Sequence, residues 1–210
     1  MSNVPNVLEI KKIIEETKCE KVNIIAHSKG GLDSKYMIEN LDMEDYVASL
    51  TTLCTPHKGS PIASGILKAP KWILKFVSFW INLWYRIFGD KKPDSYKVCE
   101  ELALVDDVEV ETFKISDKIY CQSYSTTMSR SRDDFIMGIP LMFYRHFAKD
   151  EKSDGLVSND SSHFGEYKGE AINDSISHSE IIDFMVKKKK KEKVYAFYSN
   201  ICKDLKRRSL

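Results

Sequence analysis

Ser28 is the side chain whose surroundings could turn a hydroxyl into a nucleophile. The run from Val22 to Ala26 is short, apolar and rich in β-branched residues, which reads as a buried strand, and Leu32 to Asn40 can form a helix. Between them lies Ala26-His27-Ser28-Lys29-Gly30-Gly31. A serine on a sharp strand-to-helix turn is a nucleophile elbow, usually spelled G-x-S-x-G. Residues two before and two after the serine approach each other across such a turn, so Ala26 and Gly30 read as the small residues it demands. On these residues alone, an ordinary turn with an incidental serine is the competing reading. A serine hydroxyl reacts poorly until a base takes its proton, and the base must be oriented by a third group. The chemistry therefore requires a histidine and a carboxylate from elsewhere in the chain.

The A-H-S-x-G-G spelling at Ala26 to Gly31 resembles the elbow of bacterial lipases of the α/β-hydrolase superfamily. That resemblance implies a partial α/β-hydrolase fold: a mostly parallel sheet flanked by helices, with a helical lid insertion at about 62–110 in a single domain spanning 1–210. It also implies the chain order serine, acid, histidine. Asp154 lies in a D-G-L-V-S segment similar to the one carrying the acid in those lipases, and His178 in an ending similar to their S-H-x-x-I-I-D. Asp160 is the second choice of acid, while Asp133, Asp134 and Asp150 lack this context and read as surface acids. His163 competes with His178 but leaves little chain after Asp154, and His146 precedes the acid. His27 points away from the serine on strand alternation. His57, in a T-P-H-x-G-S segment that resembles the loop after the next strand, reads as structural.

The reaction implied is acyl transfer to water: Ser28 attacks, His178 carries the proton and Asp154 holds the imidazole. The backbone N–H of Lys29 would supply one oxyanion donor. In the resembling lipases a second comes from a His-Gly loop after an earlier strand, and nothing before Val22 matches it. The chain accordingly reads as N-terminally incomplete, with weak or no activity as the consequence.

The elements that would position these residues follow from periodicity. Val7, Ile10, Ile13, Ile14 and Thr17 recur at helical spacing, with Asn6 and Glu9 as a capping box. Tyr46 to Cys54 reads as a second buried strand, which with the intervening helix makes a βαβ unit, and Ile119 to Tyr124 as a third strand. Residues 125–135 are polar and loop-like, and the apolar stretch Phe135 to Phe147 could wall an acyl site. Ser179 could cap a helix carrying Ile181, Ile182, Met185 and Val186. Lys187 to Lys191 would be a solvated helix end, and Val194 to Leu205 has helical periodicity that would pack back on the sheet.

From Trp72 to Phe88 the polar residues Lys75, Ser78, Asn82 and Arg86 form one helical stripe, leaving a wide apolar face that includes Trp72, Phe76, Phe79, Trp80 and Trp84. A membrane span is slightly too short and carries charges; a core helix rarely needs so many aromatics. The place in the chain favours a lid over the acyl site, which the resemblance also implies. With 210 residues, 42% hydrophobic and net charge +1, the composition gives no reason to propose nucleic acid as a partner. The five cysteines are widely spaced without a C-x-x-C pair, so neither a disulfide framework nor a zinc site is indicated, and no cofactor is expected. No signal peptide is recognisable, so a cytoplasmic location is expected. Partners would be a lipid or acyl ester, with peripheral membrane contact through the aromatic helix or the lysine run. The alternatives to an ester hydrolase are an inactive truncated hydrolase that binds lipid or membrane, and acyl transfer to an alcohol.

Overall fold

A computed structural model describes residues 4–60, 115, 117–147 and 152–210. The expected lid, with Trp72, Phe76, Phe79, Trp80 and Trp84, lies outside the described residues, as does Asp150. The described elements run α1 (Val4–Thr17), β1 (Val22–His27), α2 (Lys29–Asn40), β2 (Val47–Leu53), β3 (Tyr120–Thr127), α3 (Gly138–Phe147), β4 (Glu166–Ser175) and α4 (Lys188–Arg207). The strands form a parallel sheet in the order β1-β2-β3-β4. Parallel strands need crossovers that cover the sheet faces, which is why β2, Val-Ala-Ser-Leu-Thr-Thr-Leu, is buried along its whole length.

Side-chain alternation on the strands divides the core into two layers. Val7 and Ile14 of α1 and Met37 and Ile38 of α2 pack with Ala26, Val47 and Leu50 on one face. Val194, Phe197, Ile201 and Leu205 of α4 pack with Leu53, Ile172 and Ile176 on the other. Each fully buried aliphatic chain contributes about 1.5–3 kcal/mol relative to exposure. The polar residues inside the sheet are paired across strands: Gln122 Nε2 donates to Thr51 Oγ1 at 2.9 Å, and Ser49 Oγ to Asn23 Oδ1 at 2.6 Å.

Three local expectations change, and one strand is added. The third strand continues to Thr127 through residues that read as loop, because Ser123, Ser125 and Thr126 are small enough to be buried between neighbours. β4 carries a mixed polar sequence with little alternation, yet it completes the sheet beside β3. No helix starts at Ser179; a 3-10 turn at Glu180–Ile182 ends where Asp183 and Met185 take positive φ (61° and 52°). The lysine run therefore opens α4 at its positive pole rather than closing a helix, and acids offset the charge: Lys190 pairs with Glu180, Lys191 with Asp183 and Lys193 with Asp174. On α3, Met137, Leu141 and Tyr144 on or beside the helix are buried, while Ile139, Met142 and Phe143 stay exposed. No described helix is long and apolar enough to cross a membrane.

Candidate active site

The carboxyl ends of the parallel strands are where open α/β sheets place ligands, and Ser28 follows directly on the end of β1. It takes φ 54° and ψ −134°, a backbone region costly for any residue with a Cβ. Surrounding bonds hold that strain: Ser28 N–H donates to Leu53 O at 2.9 Å, and its carbonyl accepts from Gly31 N–H at 3.0 Å and Thr55 Oγ1 at 2.9 Å. The turn's demand for a small residue falls one position later than the five-residue pattern suggests. A Cβ on Gly30 would meet nothing within 4 Å, whereas one on Gly31 would lie 2.2 Å from Thr55 Oγ1 and 2.9 Å from Thr55 Cβ. Ala26 is buried beneath the turn. Gly31→Ala should displace Thr55 and lower stability by about 1–3 kcal/mol, measurable as a shifted urea midpoint, while Gly30→Ala should not.

His178 reaches the same point from the far end of the chain. Its Nε2 lies 2.9 Å from Ser28 Oγ and its Nδ1 2.7 Å from Asp154 Oδ2. An ionised carboxylate only accepts, so the fitting tautomer carries its proton on Nδ1 and leaves the Nε2 lone pair toward Ser28. The backbone adds a bond, His178 N–H to Asp154 O at 3.0 Å. Asp154 is only 1% exposed. Its Oδ1 accepts the N–H groups of Leu156 (2.9 Å) and Val157 (2.8 Å), and Gly155 makes the turn with φ 110°. Burial alone would raise the Asp154 pKa, but His178 and the two amides outweigh it and hold the carboxyl below its ordinary value.

The loop carrying His178 is fastened on both sides. Ser177 N–H donates to Glu180 Oε2 at 3.1 Å, and the buried Glu180 pairs with Lys190 at 2.8 Å. Asp134, which reads from the sequence as a surface acid, is instead half-buried and accepts from the hydroxyls of both Ser177 and Ser179. Nothing in its local sequence marks it; only the fold brings it beside a loop more than 40 residues away. Lys29 opens α2 with its backbone at the elbow, while its ammonium is bonded to Asp33 at 2.6 Å.

The competing residues are placed elsewhere. Asp160 is exposed and pairs with Lys58, and the His163 ring packs tilted against Tyr167 with centroids 3.7 Å apart. His146 is exposed on α3. The His57 ring stacks on Phe164 and bonds Thr52 Oγ1 at 3.0 Å. His27 does not point away from the site, because its ring packs tilted against that of His178 at 4.4 Å. Its Nε2 is buried without a hydrogen-bond partner among the described residues. With Cys54, these two histidines bring three ligand-type atoms within 4.8 Å. Both His178 nitrogens are already engaged, however, and Cys54 Sγ is bonded to Thr126 at 3.2 Å, so two of the three residues are committed to other partners.

Burial, then the neighbouring His178, lowers the His27 pKa to about 3; burial, then Lys35, does the same for His57. Both stay neutral in the folded protein below the pH at which the unfolded chain takes up protons. Stability should thus be lost as pH falls from about 6.5 toward 3, by about 1.4 kcal/mol per pH unit for each histidine. Urea melts between pH 7 and 5 check this, and a variant lacking His57 should show a shallower slope.

Comparison with known proteins agrees with this architecture. Over 177 residues the chain is 30% identical to Triacylglycerol lipase 2 of Saccharomyces cerevisiae, covering 77% of this chain and 46% of that protein. Over 54 residues it is 44% identical to a triacylglycerol lipase of Pseudarthrobacter phenanthrenivorans, 26% of this chain and 16% of that one. The chain thus spans less than half the length of these curated relatives. Among solved structures, the metagenomic carboxyl esterase MGS0156 superposes with a TM-score of 0.62 at 18% identity, over 84% of this chain and 51% of that one. Staphylococcus hyicus lipase does so with a TM-score of 0.57 at 17% identity, over 89% and 70%. No protein-family model matches the chain. By sequence it is similar to triacylglycerol lipases, and by fold it is a partial α/β structure similar to solved lipases and esterases.

Proposed function

We propose that this chain carries the catalytic core of a serine ester hydrolase that cleaves acyl esters of the kind found in lipids. The observation that carries the reading is the row Ser28 Oγ, His178 Nε2, His178 Nδ1 and Asp154 Oδ2, closed by contacts of 2.9 and 2.7 Å at a strained serine. In that reading Ser28 Oγ attacks the ester carbonyl as its proton passes to His178 Nε2. The C–O bond to the alcohol then breaks, and the alcohol leaves with that proton. Water repeats the sequence on the acyl-serine and releases the acid. The Lys29 amide, at the N-terminus of α2, would receive the developing oxyanion, aided by the helix dipole. Asp154 stays ionised throughout and stabilises the imidazolium, in keeping with its lowered pKa.

An acyl-enzyme shared by different substrates gives the test. With methanol present, esters of one acid bearing different leaving groups should yield methyl ester and free acid in one constant ratio. A ratio that changes with the leaving group would contradict a common acyl-serine. Binding of acyl lipid without any turnover would favour a binding module instead.

A further inference from the structure

We infer that Asp134 is a positioning residue for His178, a role that rests on the reading above. Its two carboxylate oxygens do different work. Oδ1 accepts the N–H groups of Ile136 (2.7 Å) and Met137 (3.0 Å), fixing the turn that leads into α3. Oδ2 accepts the hydroxyls of Ser177 and Ser179, the residues on either side of His178. One anion thus spans the base from both flanks and ties its loop to a segment packed in the core through Met137 and Leu141. The two hydroxyls lie 3.1 Å apart, so together with the carboxylate they close a triangle under the histidine.

The neighbouring bonds extend this grip without duplicating it. Asp133 accepts from Ser175 Oγ at 2.7 Å, and Glu180 holds Ser177 through its backbone N–H. Neither reaches Ser179, so the C-terminal flank of His178 depends on Asp134 among these acids. Burial would raise the Asp134 pKa, but Ser177, Ser179 and the two amides outweigh it, and the carboxyl stays below its ordinary value. An ionised carboxylate is the form that can accept all four bonds. A histidine loop freed on one side misplaces Nε2 relative to Ser28, and an error of about 1 Å in such a contact costs about 10²-fold in rate.

Two roles of Asp134 have to be separated, capping the turn before α3 and holding the base. Ser177→Ala with Ser179→Ala removes only the second. On a soluble ester such as p-nitrophenyl butyrate, this double variant should lose about 10²-fold in kcat with little change in KM, and react with a fluorophosphonate slower by a similar factor. Its Tm should fall as well, because Asp134 Oδ2 loses both hydroxyl donors and the Glu180 N–H loses Ser177 Oγ, which accepts it at 3.2 Å, so rates are compared well below the melt. Asp134→Ala should show the same kcat loss together with a lowered Tm, and Asp134→Asn, which keeps one acceptor oxygen, should recover part of it. Ser179→Ala alone should show an intermediate loss, which decides the matter should the double variant not fold. Wild-type turnover in the serine variants, with only Tm lowered in Asp134→Ala, would make Asp134 a cap and overturn the inference. Failure of wild-type protein to form any adduct at Ser28 would instead remove the underlying reading.

Discussion

Replacing Ser28 by alanine is expected to lower ester turnover by about 10⁴- to 10⁶-fold while leaving the fold in place. Among the described residues the hydroxyl makes one side-chain hydrogen bond, to His178 at 2.9 Å. The bonds that hold the strained turn use the Ser28 backbone, and alanine keeps all three of them. The unfolding midpoint should therefore move little. No other group of the row can replace the oxygen, because His178 and Asp154 are already committed to each other. Initial-rate assays on a soluble ester, with circular dichroism melts of both proteins, check the two halves of this expectation. Turnover within tenfold of wild type would mean that the hydrolysis arises elsewhere.

Asp154→Asn should be nearly as damaging, with a loss of about 10⁴-fold in kcat, for a different reason. The asparagine carbonyl can still accept from the amides of Leu156 and Val157, so the loop is kept. Its amide group then faces His178 Nδ1 as a donor. The imidazole must turn its lone pair to Nδ1, placing the proton on Nε2, where it confronts the Ser28 hydroxyl and cannot accept from it. Asp154→Ala would additionally strand the buried Nδ1–H and the two amides, at about 1–3 kcal/mol for each unsatisfied group. The contrast to measure is a large kcat loss in both variants but a lowered Tm only in the alanine.

The catalytic candidates were legible because each lies in a short local pattern whose spacing has a physical cause. Strand, elbow and helix at Val22 to Asn40 follow from apolar periodicity broken by a turn. Asp154-Gly155 marks a turn whose positive φ glycine relieves. What escaped the sequence is what depends on distant packing. β4 forms from a polar strand because β3 offers an open edge. His27 faces His178 because the loop after β4 folds over the end of β1, which strand alternation cannot show. Asp134 looks like any acid in a polar stretch until the fold sets two serines beside it. The lysines of α4 mislead in the opposite way: five lysines in a row suggest the end of a helix, yet here Lys190, Lys191 and Lys193 pair with acids from the preceding turns and β4.

The most direct test of the account is the mass of the protein after reaction with a fluorophosphonate, mapped to a residue by peptide sequencing. One adduct is expected, on Ser28, formed quickly by wild type, slowly by His178→Ala and absent from Ser28→Ala. Folded protein that remains unmodified, or an adduct that persists after Ser28 is removed, would contradict it.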